Sequence, residues 1–522
     1  MVDGNPSIEV LPDDVLLQIF SLCNPRGRAD TRMPMVTWEW YALAHVCQRW
    51  RRLVFAFPRY LGVILVTGLR RCVRALDCWP AFPIAIRHNT YYAALYHEDE
   101  DDILAGLKHP DRIYEINLPV SYGLLEKSAT LAWSFPQLER LEIKSARGHY
   151  IELPRGFLGG STPTSHKLRH IELWKITFPS LPQLLLSNRN LTYLSLNRDV
   201  FISEREYIPS DTLASSLSAA TQLEFLRVHQ SCGISAPKQR STHSASLSPN
   251  LILLPSLVEI DFMGPDGYLE DLVSRIHSPL LRRIRVSIAR MGTRPLDLPN
   301  LWQLLSRSEY LQSLPLETLI RIEEYGFEIV HDFGPPPPWG SISLNVDFYD
   351  LEFWDVSQVV HCSRKLSPLL SDVERLIIRA HHVPPSLRDE PDTVRWLQLF
   401  LPFNGAQEVQ LCDVDKSYDG IVNALHESTK IDQEVFPALR ILRLRGYGTN
   451  TPQGIKSFVD ARRRTGKTVT VARRKEGPGW CGKYEDDDEA ESEEESVSQT
   501  VSQIMDKIVL VFLPCSYYFP ES

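Results

Sequence analysis

The sequence predicts an α/β protein in two parts: a small all-helical N-terminal module, then an irregular array of parallel strands and helices. Three observations predict it. Between residues 8 and 58, apolar residues recur at three- and four-residue steps, the spacing of helical faces. From residue 113 onward an apolar triplet spaced i, i+3, i+5 returns at intervals of 23 to 34 residues, and a period of that size marks stacked units. Amphipathic helical stretches fall between the triplets.

In the module, Pro12 suits a helix start because its missing N–H would be unpaired there anyway, and Asp13 and Asp14 favour the positive end of the helix dipole. Val15, Ile19 and Leu22 and, one residue along, Leu16, Phe20 and Cys23 make one broad apolar face, which Asn24-Pro25-Arg26-Gly27 ends. A second run, Leu43, Val46, Cys47, Trp50, Leu53, Val54 and Phe57, stops at Pro58, with Arg49, Arg51 and Arg52 mostly on its other side. Trp38-Glu39-Trp40, between the runs, is assigned to internal packing. About 50 residues cannot enclose so much apolar surface alone, so another surface is expected to cover part of it, some of it from residues 60–108.

The opening Leu11-Pro12-x-x-Val15-Leu16-x-x-Ile19-Phe20, followed by Val46-Cys47-x-x-Trp50-Arg51, strongly resembles the F-box. That resemblance implies a compact helical module at 8–58 that docks onto a Skp-family adaptor and, through it, a cullin-RING ubiquitin ligase. It makes Leu11, Pro12, Val15, Leu16, Ile19, Phe20, Val46, Cys47 and Trp50 the adaptor-contacting or module-forming positions. It covers a tenth of the chain. The stretch from Arg26 to Trp40 is longer and more polar than a minimal connection in the motif, and Leu61-Gly62 stands where Leu-Trp often follows.

Residues 1–7 are a tail and 59–108 a bridge with strand candidates at 61–66 and 82–86, a helical stretch at 69–75, and an acidic run, Glu98 to Asp102, read as a solvated helix start. The array is placed at 109–475. Its triplets are Ile113/Ile116/Leu118, Leu138/Leu141/Ile143, Leu168/Ile171/Leu173, Leu191/Leu194/Leu196, Leu223/Leu226/Val228, Leu257/Ile260/Phe262 and Leu281/Ile284/Val286, then Val373/Leu376/Ile378, Ala406/Val409/Leu411 and Leu439/Leu442/Leu444. A gap at 287–372 is expected to hold one or two degenerate copies near Ile342–Val346. The last two residues of each triplet are two apart, so each copy carries a strand with one buried face. Helices are expected at 211–220, 393–401, 418–427 and 451–464.

One short strand per unit, with helices between, resembles the leucine-rich repeat, which implies an irregular solenoid whose parallel strands line a concave face. A typical copy has Asn or Cys three residues after the triplet; here Ala146, Ile176, Asp199 and Ala289 stand there, so no buried side-chain hydrogen-bonding ladder is expected. Ser231 to Asn250 reads as an exposed loop and Gly334 to Trp339, with four prolines, as a stiff connector. Residues 476–500 are expected to be a disordered acidic segment and 501–522 a C-terminal tail.

Composition narrows the function classes. Hydrophobic residues are 43% and charged residues 23%, ordinary for a folded chain. A formal net charge of -9 and the lack of a basic, aromatic-interleaved face argue against nucleic-acid binding. No apolar run approaches the roughly 20 residues that span a membrane. The nine cysteines are scattered, without Cys-x-x-Cys or zinc-type spacing, which suits a reducing compartment and points to cytoplasm or nucleus. Residues 461–468 end like a phosphate-binding loop, but Ala461 stands where Gly is needed and a helix, not a strand, precedes it. His381-His382 has no further ligand at metal spacing, and no nucleophile elbow or dinucleotide glycine pattern is present. The chain reads as a binder without cofactor, metal or catalysis.

Strand parity selects the binding face. With triplets pointing inward, the opposite face carries Arg140, Glu142, His170, Glu172, Trp174, Tyr193, Phe225, Arg227, His229, Arg283, Arg285, Arg375, Arg379, Arg443 and Arg445. Repeated arginine suits carboxylate or phosphate, so the expected partner is an acidic or phosphorylated segment of a target protein. The function implied is target recruitment to an SCF-type ubiquitin ligase; the alternative is a repeat scaffold that never meets a ligase.

Overall fold

A computed structural model describes residues 11–22, 43, 45–56, 64–66, 76, 83–87, 99–128, 134–145, 150–154, 157–159, 167–198, 208–230, 251–290, 296–308, 317–323, 326–332, 341–348, 356–365, 370–371, 373–380, 393–412, 419–429, 434–445 and 452–474. The expectations for 1–7, Trp38–Trp40, 61–63, 69–75, Ser231–Asn250, Gly334–Trp339, His381-His382 and the chain after Arg474 lie outside these residues. Contacts divide the chain into Met1–Ala472 and Arg473–Ser522.

The first unit is mixed α/β. Sixteen strands form one sheet: β1 (Ile64–Val66), β2 (Ile84–Arg87), β3 (Ile113–Val120), β4 (Arg140–Ser145), β5 (His170–Trp174), β6 (Tyr193–Arg198), β7 (Phe225–Gln230), β8 (Glu259–Gly264), β9 (Arg283–Arg290), β10 (Glu317–Glu323), β11 (Gly326–Asp332), β12 (Ser341–Phe348), β13 (Arg375–Ala380), β14 (Glu408–Cys412), β15 (Ile441–Arg445) and β16 (Thr470–Arg474). Neighbours are parallel and in chain order from β1 to β9. All ten triplets fall on or at the entry of strands, and none of their thirty side chains is more than 5% exposed. Register keeps equivalent residues side by side: Leu141, Ile171, Leu194, Leu226, Ile260, Ile284 and Ile342 are successive partners. Slipping any strand by one residue would swap its Leu and Ile row for its charged row.

Most inter-strand connections are helical: α3 (Asp99–Leu107), α4 (Tyr122–Ser128), α5 (Leu181–Ser187), α6 (Ser210–Leu217), α7 (Asp266–Val273), α8 (Pro299–Arg307), α9 (Val356–Lys365), α10 (Thr393–Phe400), α11 (Asp419–Ser428) and α12 (Gln453–Arg464). Their apolar sides, such as Leu181, Leu184 and Leu185 of α5 or Leu301, Leu304 and Leu305 of α8, join the sheet's buried rows in one core. Adjacent helices pack on each other, α5 to α8 and α9 to α12.

Two details differ from the sequence reading. In the gap at 287–372, only β12, the stretch around Ile342–Val346, joins β9 in parallel; β10 and β11 form a hairpin, so the order β9-β12-β11-β10-β13 contains two antiparallel pairs. Glu323 pairs with Gly326, and antiparallel strands joined this closely need no crossover helix.

Buried side-chain hydrogen bonds between copies are also present, at the entry to the strands rather than after them. Asn188 Nδ2, Ser278 Oγ and Ser308 Oγ donate to the carbonyls of Leu168, Leu257 and Leu281 at 2.8, 2.8 and 2.6 Å. The same edge carries a chain of shared carbonyls. Glu139 O accepts from the N–H groups of Arg169 and His170, Arg169 O from Thr192 and Tyr193, Thr192 O from Glu224 and Phe225, Glu224 O from Val258 and Glu259, and Val258 O from Arg282 and Arg283. Each strand entry is thereby tied to the next without Asn at the expected positions, as buried backbone polar groups require.

Candidate functional site

Two surfaces carry the residues singled out above. The first is the helical pair α1 (Asp13–Leu22) and α2 (Gln48–Ala56). Leu16, Phe20, Leu43, Leu53 and Val54 form its own small core, with Leu11, Leu17 and Trp50 packed against it, and share no member with the sheet core. Phe20 meets Trp50 edge-on, with ring centroids 4.7 Å apart. Leu16 and Phe20 are buried and so hold the module together, whereas Pro12, Val46 and Cys47 are exposed and Leu11, Val15, Ile19 and Trp50 partly so.

Two features of this pair went unread in the sequence. Arg49 donates from Nε and Nη2 to Asp13 Oδ1 at 2.8 and 2.6 Å and from Nη2 to Leu11 O at 2.5 Å, which ties the start of α2 to the start of α1. Phe55 is 43% exposed beside these residues in the chain and adds apolar surface. Helical periodicity placed Arg49 opposite the core, and no spacing rule points to Asp13 at 36 residues' distance. Cys47 acts as a cap, its sulfur accepting the Trp50 N–H at 3.4 Å.

Residues 8–57 match the F-box-like family. F-box domains as a class bind Skp-family adaptors. No curated protein matches the chain, and the family match describes this N-terminal region alone.

The second surface is the sheet face opposite the triplets. Here the structure brings together residues the sequence placed on one face and adds what each touches. His170, Tyr193 and Phe225 are direct partners on β5, β6 and β7, and their rings stack at 4.0 and 4.5 Å with planes within 7°. The Arg227 guanidinium lies 5.2 Å from the Phe225 ring centroid, a cation–π contact. Trp174 stands on the same face of β5 as His170 and is 36% exposed.

The arginines largely face carboxylates of adjoining strands. Arg227 Nε donates to Asp261 Oδ2 at 2.8 Å and His229 Nε2 lies 3.1 Å from Oδ1. Arg283 and Arg285 lie 3.3 and 4.0 Å from Glu259, and Arg375 and Arg443 lie 3.1 and 2.5 Å from Glu408. Arg87 grips Glu115 with two bonds of 2.6 and 2.7 Å. Arg379 Nε is buried without a hydrogen-bond partner among the described residues, and Arg445 ends β15 half-buried. The alternation of sign was present in the sequence at Glu259, Asp261 and Glu408, but strand pairing was needed to put each acid beside its arginine. An acidic ligand here must displace or share a resident carboxylate.

Electrostatics single out β4 and β5. Burial, then the neighbouring Arg140 charge, pushes the His170 imidazole down to about 3, so it is neutral at physiological pH. Burial, then Glu142, raises Glu172 above the usual carboxylate range. Burial also raises Asp261, but His229 and Arg227 outweigh it and hold the carboxyl below its ordinary value. Glu142 is held by Arg140 from Nε at 2.6 Å and by Asn117 Nδ2 at 2.6 Å.

The Arg462-Arg463-Arg464-Thr465-Gly466-Lys467 stretch closes α12 and precedes β16, so it sits at a helix C-terminus, where the dipole repels phosphate. Among the described residues no helix is long and apolar enough to cross a membrane.

Proposed function

We propose that this chain is a substrate-recognition adaptor of an SCF-type (Skp-cullin-F-box) ubiquitin ligase. The F-box-like region docks to a Skp-family adaptor, and the sheet, an irregular leucine-rich-repeat-like solenoid, offers its charged and aromatic face to the target protein. The chain itself catalyses nothing. It works in the cytoplasm, the nucleus or both, where a cullin-RING enzyme is met, and it raises the effective concentration of target at the ubiquitin-loaded partner.

The observation that carries this reading is the division of the F-box-like residues into a buried set and an exposed apolar set. Leu11, Pro12, Val15, Ile19, Val46 and Phe55 leave apolar area at the surface of a module too small to hide it. For the target, the ladder of His170, Tyr193 and Phe225, flanked by Trp174 and Arg227, supplies rigid rings of the kind that anchor interfaces. The arginine rows favour an acidic or phosphorylated segment to the extent that it out-competes Glu259 and Glu408.

The test is capture of a Skp-family adaptor by the full chain and by a Leu11→Ala/Pro12→Ala/Ile19→Ala variant. None of the three side chains is buried, so the module stays folded while its docking surface is cut away. Capture by the wild type and loss in the variant supports the adaptor role. Absence of capture by both would favour a scaffold that meets no ligase.

A further inference from the structure

The sheet face also groups three potential metal ligands. Glu142 on β4 and His170 and Glu172 on β5 place one ligand atom each within 4.8 Å of one another. Among the described residues the imidazole Nε2 is buried with no hydrogen-bond partner, although a carboxylate oxygen of Glu142 lies 3.5 Å away. A buried polar nitrogen left unpaired is unfavourable, and here it lies close to two acids. Glu172 is held only loosely, its nearest cation among the described residues being Lys144 at 3.8 Å.

We propose that Glu142, His170 and Glu172 form a binding site for a divalent transition metal of the zinc class on the face of the sheet. One imidazole nitrogen with two carboxylates is a borderline donor set, suited to zinc rather than to calcium or magnesium, which take oxygen donors. Bonds of about 2.0–2.2 Å in tetrahedral geometry place donors about 3.3–3.5 Å apart. The Glu142–His170 separation already has that value, and Glu172 has only to rotate its carboxylate inward. The ring stack on Tyr193 at 4.0 Å fixes the imidazole plane, as outer partners do in metal sites. Three protein donors leave a fourth position for water.

Arg140 is the competing cation. Its guanidinium bonds Glu142 Oε1 from Nε, so metal binding must displace it, and its half-exposed side chain is free to swing into solvent. This makes the site distinguishable from a patch of surface acids. Removing Arg140 should tighten metal binding, whereas removing a ligand should abolish it.

The experiment is calorimetric titration of the metal-stripped full chain with zinc chloride, with magnesium and calcium chloride as comparisons. The wild type is expected to show a saturable site for zinc and none for magnesium or calcium. His170→Phe, which keeps a ring on Tyr193 but lacks Nε2, and Glu172→Gln should each lose that site or weaken it roughly tenfold or more. Arg140→Ser should bind more tightly than wild type. A zinc-induced rise in melting temperature for the wild type and its absence in His170→Phe checks the result independently, because it compares each protein with itself. Zinc affinity unchanged in His170→Phe or Glu172→Gln, equal uptake of magnesium, or no gain in Arg140→Ser would each overturn the proposal.

Discussion

Truncating Phe20 to alanine tests whether the helical module is a folding unit of its own. Phe20 is 1% exposed, sits with four other buried residues and meets Trp50 at 4.7 Å. Deleting a buried phenyl ring costs about 3–5 kcal/mol. A module of about 50 residues, at about 0.05–0.15 kcal/mol per residue, holds only about 2.5–7.5 kcal/mol in all. The substitution should therefore leave α1 and α2 at or near the unfolding midpoint, while the sheet, whose core shares no residue with Phe20, stays folded. Hydrogen exchange read by mass spectrometry separates the two regions. Peptides covering Asp13–Leu22 and Gln48–Ala56 should lose protection by roughly a thousandfold, since each decade corresponds to about 1.4 kcal/mol, and peptides covering β3 to β9 should be unmoved. Equal loss of protection in the sheet would refute the separation of the cores, and unchanged α1 peptides would refute the packing.

Other expectations concern the sheet. Ser308→Ala removes the donor at 2.6 Å from the Leu281 carbonyl and should lower stability by about 1–3 kcal/mol in a denaturant midpoint, since the carbonyl is left buried and unpaired. Gly454→Ala sets helix propensity, up to about 1 kcal/mol in favour, against a Cβ 2.6 Å from Val422 Cγ1 and 2.9 Å from its carbonyl oxygen; overpacking at about 1–3 kcal/mol should win, giving a lower melting temperature. For His170, the folded state refuses a proton that the unfolded chain accepts below its ordinary 6.5, until the pH nears 3. Its contribution is complete above about pH 6.5 and is lost as pH falls through that window, by at most about 1.4 kcal/mol per unit. Raised Glu172 acts in the opposite sense, contributing stability that is present at low pH and lost as pH rises through its folded value. Urea midpoints from pH 7 to 4 should fall more gently for His170→Phe than for wild type; equal slopes would remove His170 from the acid response.

Much of the strand framework was legible because it rests on periodicity that burial enforces. Triplets such as Leu138/Leu141/Ile143 and Leu439/Leu442/Leu444 lie in the core where parity placed them, and the helices expected at 211–220, 393–401, 418–427 and 451–464 are present as Ser210–Leu217, Thr393–Phe400, Asp419–Ser428 and Gln453–Arg464. The β10–β11 hairpin was not legible, because Leu319/Ile320 and Ile329/Val330 put apolar residues on both faces and blur the alternation. The use of Asn188, Ser278 and Ser308 at strand entries was hidden too, since each hydrogen bond depends on a carbonyl 20 or more residues away. On the charged face, composition revealed the arginines of β9, β13 and β15, but only register shows that Glu259 and Glu408 neutralise them.

The exchanged strand order around β12 has a consequence for how the chain assembles during synthesis. Strands β1 to β9 can add one at a time as they emerge, each closing a short crossover. The outer edge of β9 then waits: β10 and β11 are made first, and the strand that pairs with it begins only at Ser341. At about 5–20 residues per second, the intervening stretch of about 50 residues keeps that edge open for roughly 3–10 s. During this interval the row of N–H and C=O groups on Arg283–Arg290 is a template for any extended chain nearby. The wait ends when β12 arrives bringing β10 and β11 with it, and only then does β13 find its neighbour. Between Arg290 and Ser341 the nascent chain therefore carries β9 with its outer edge unpaired.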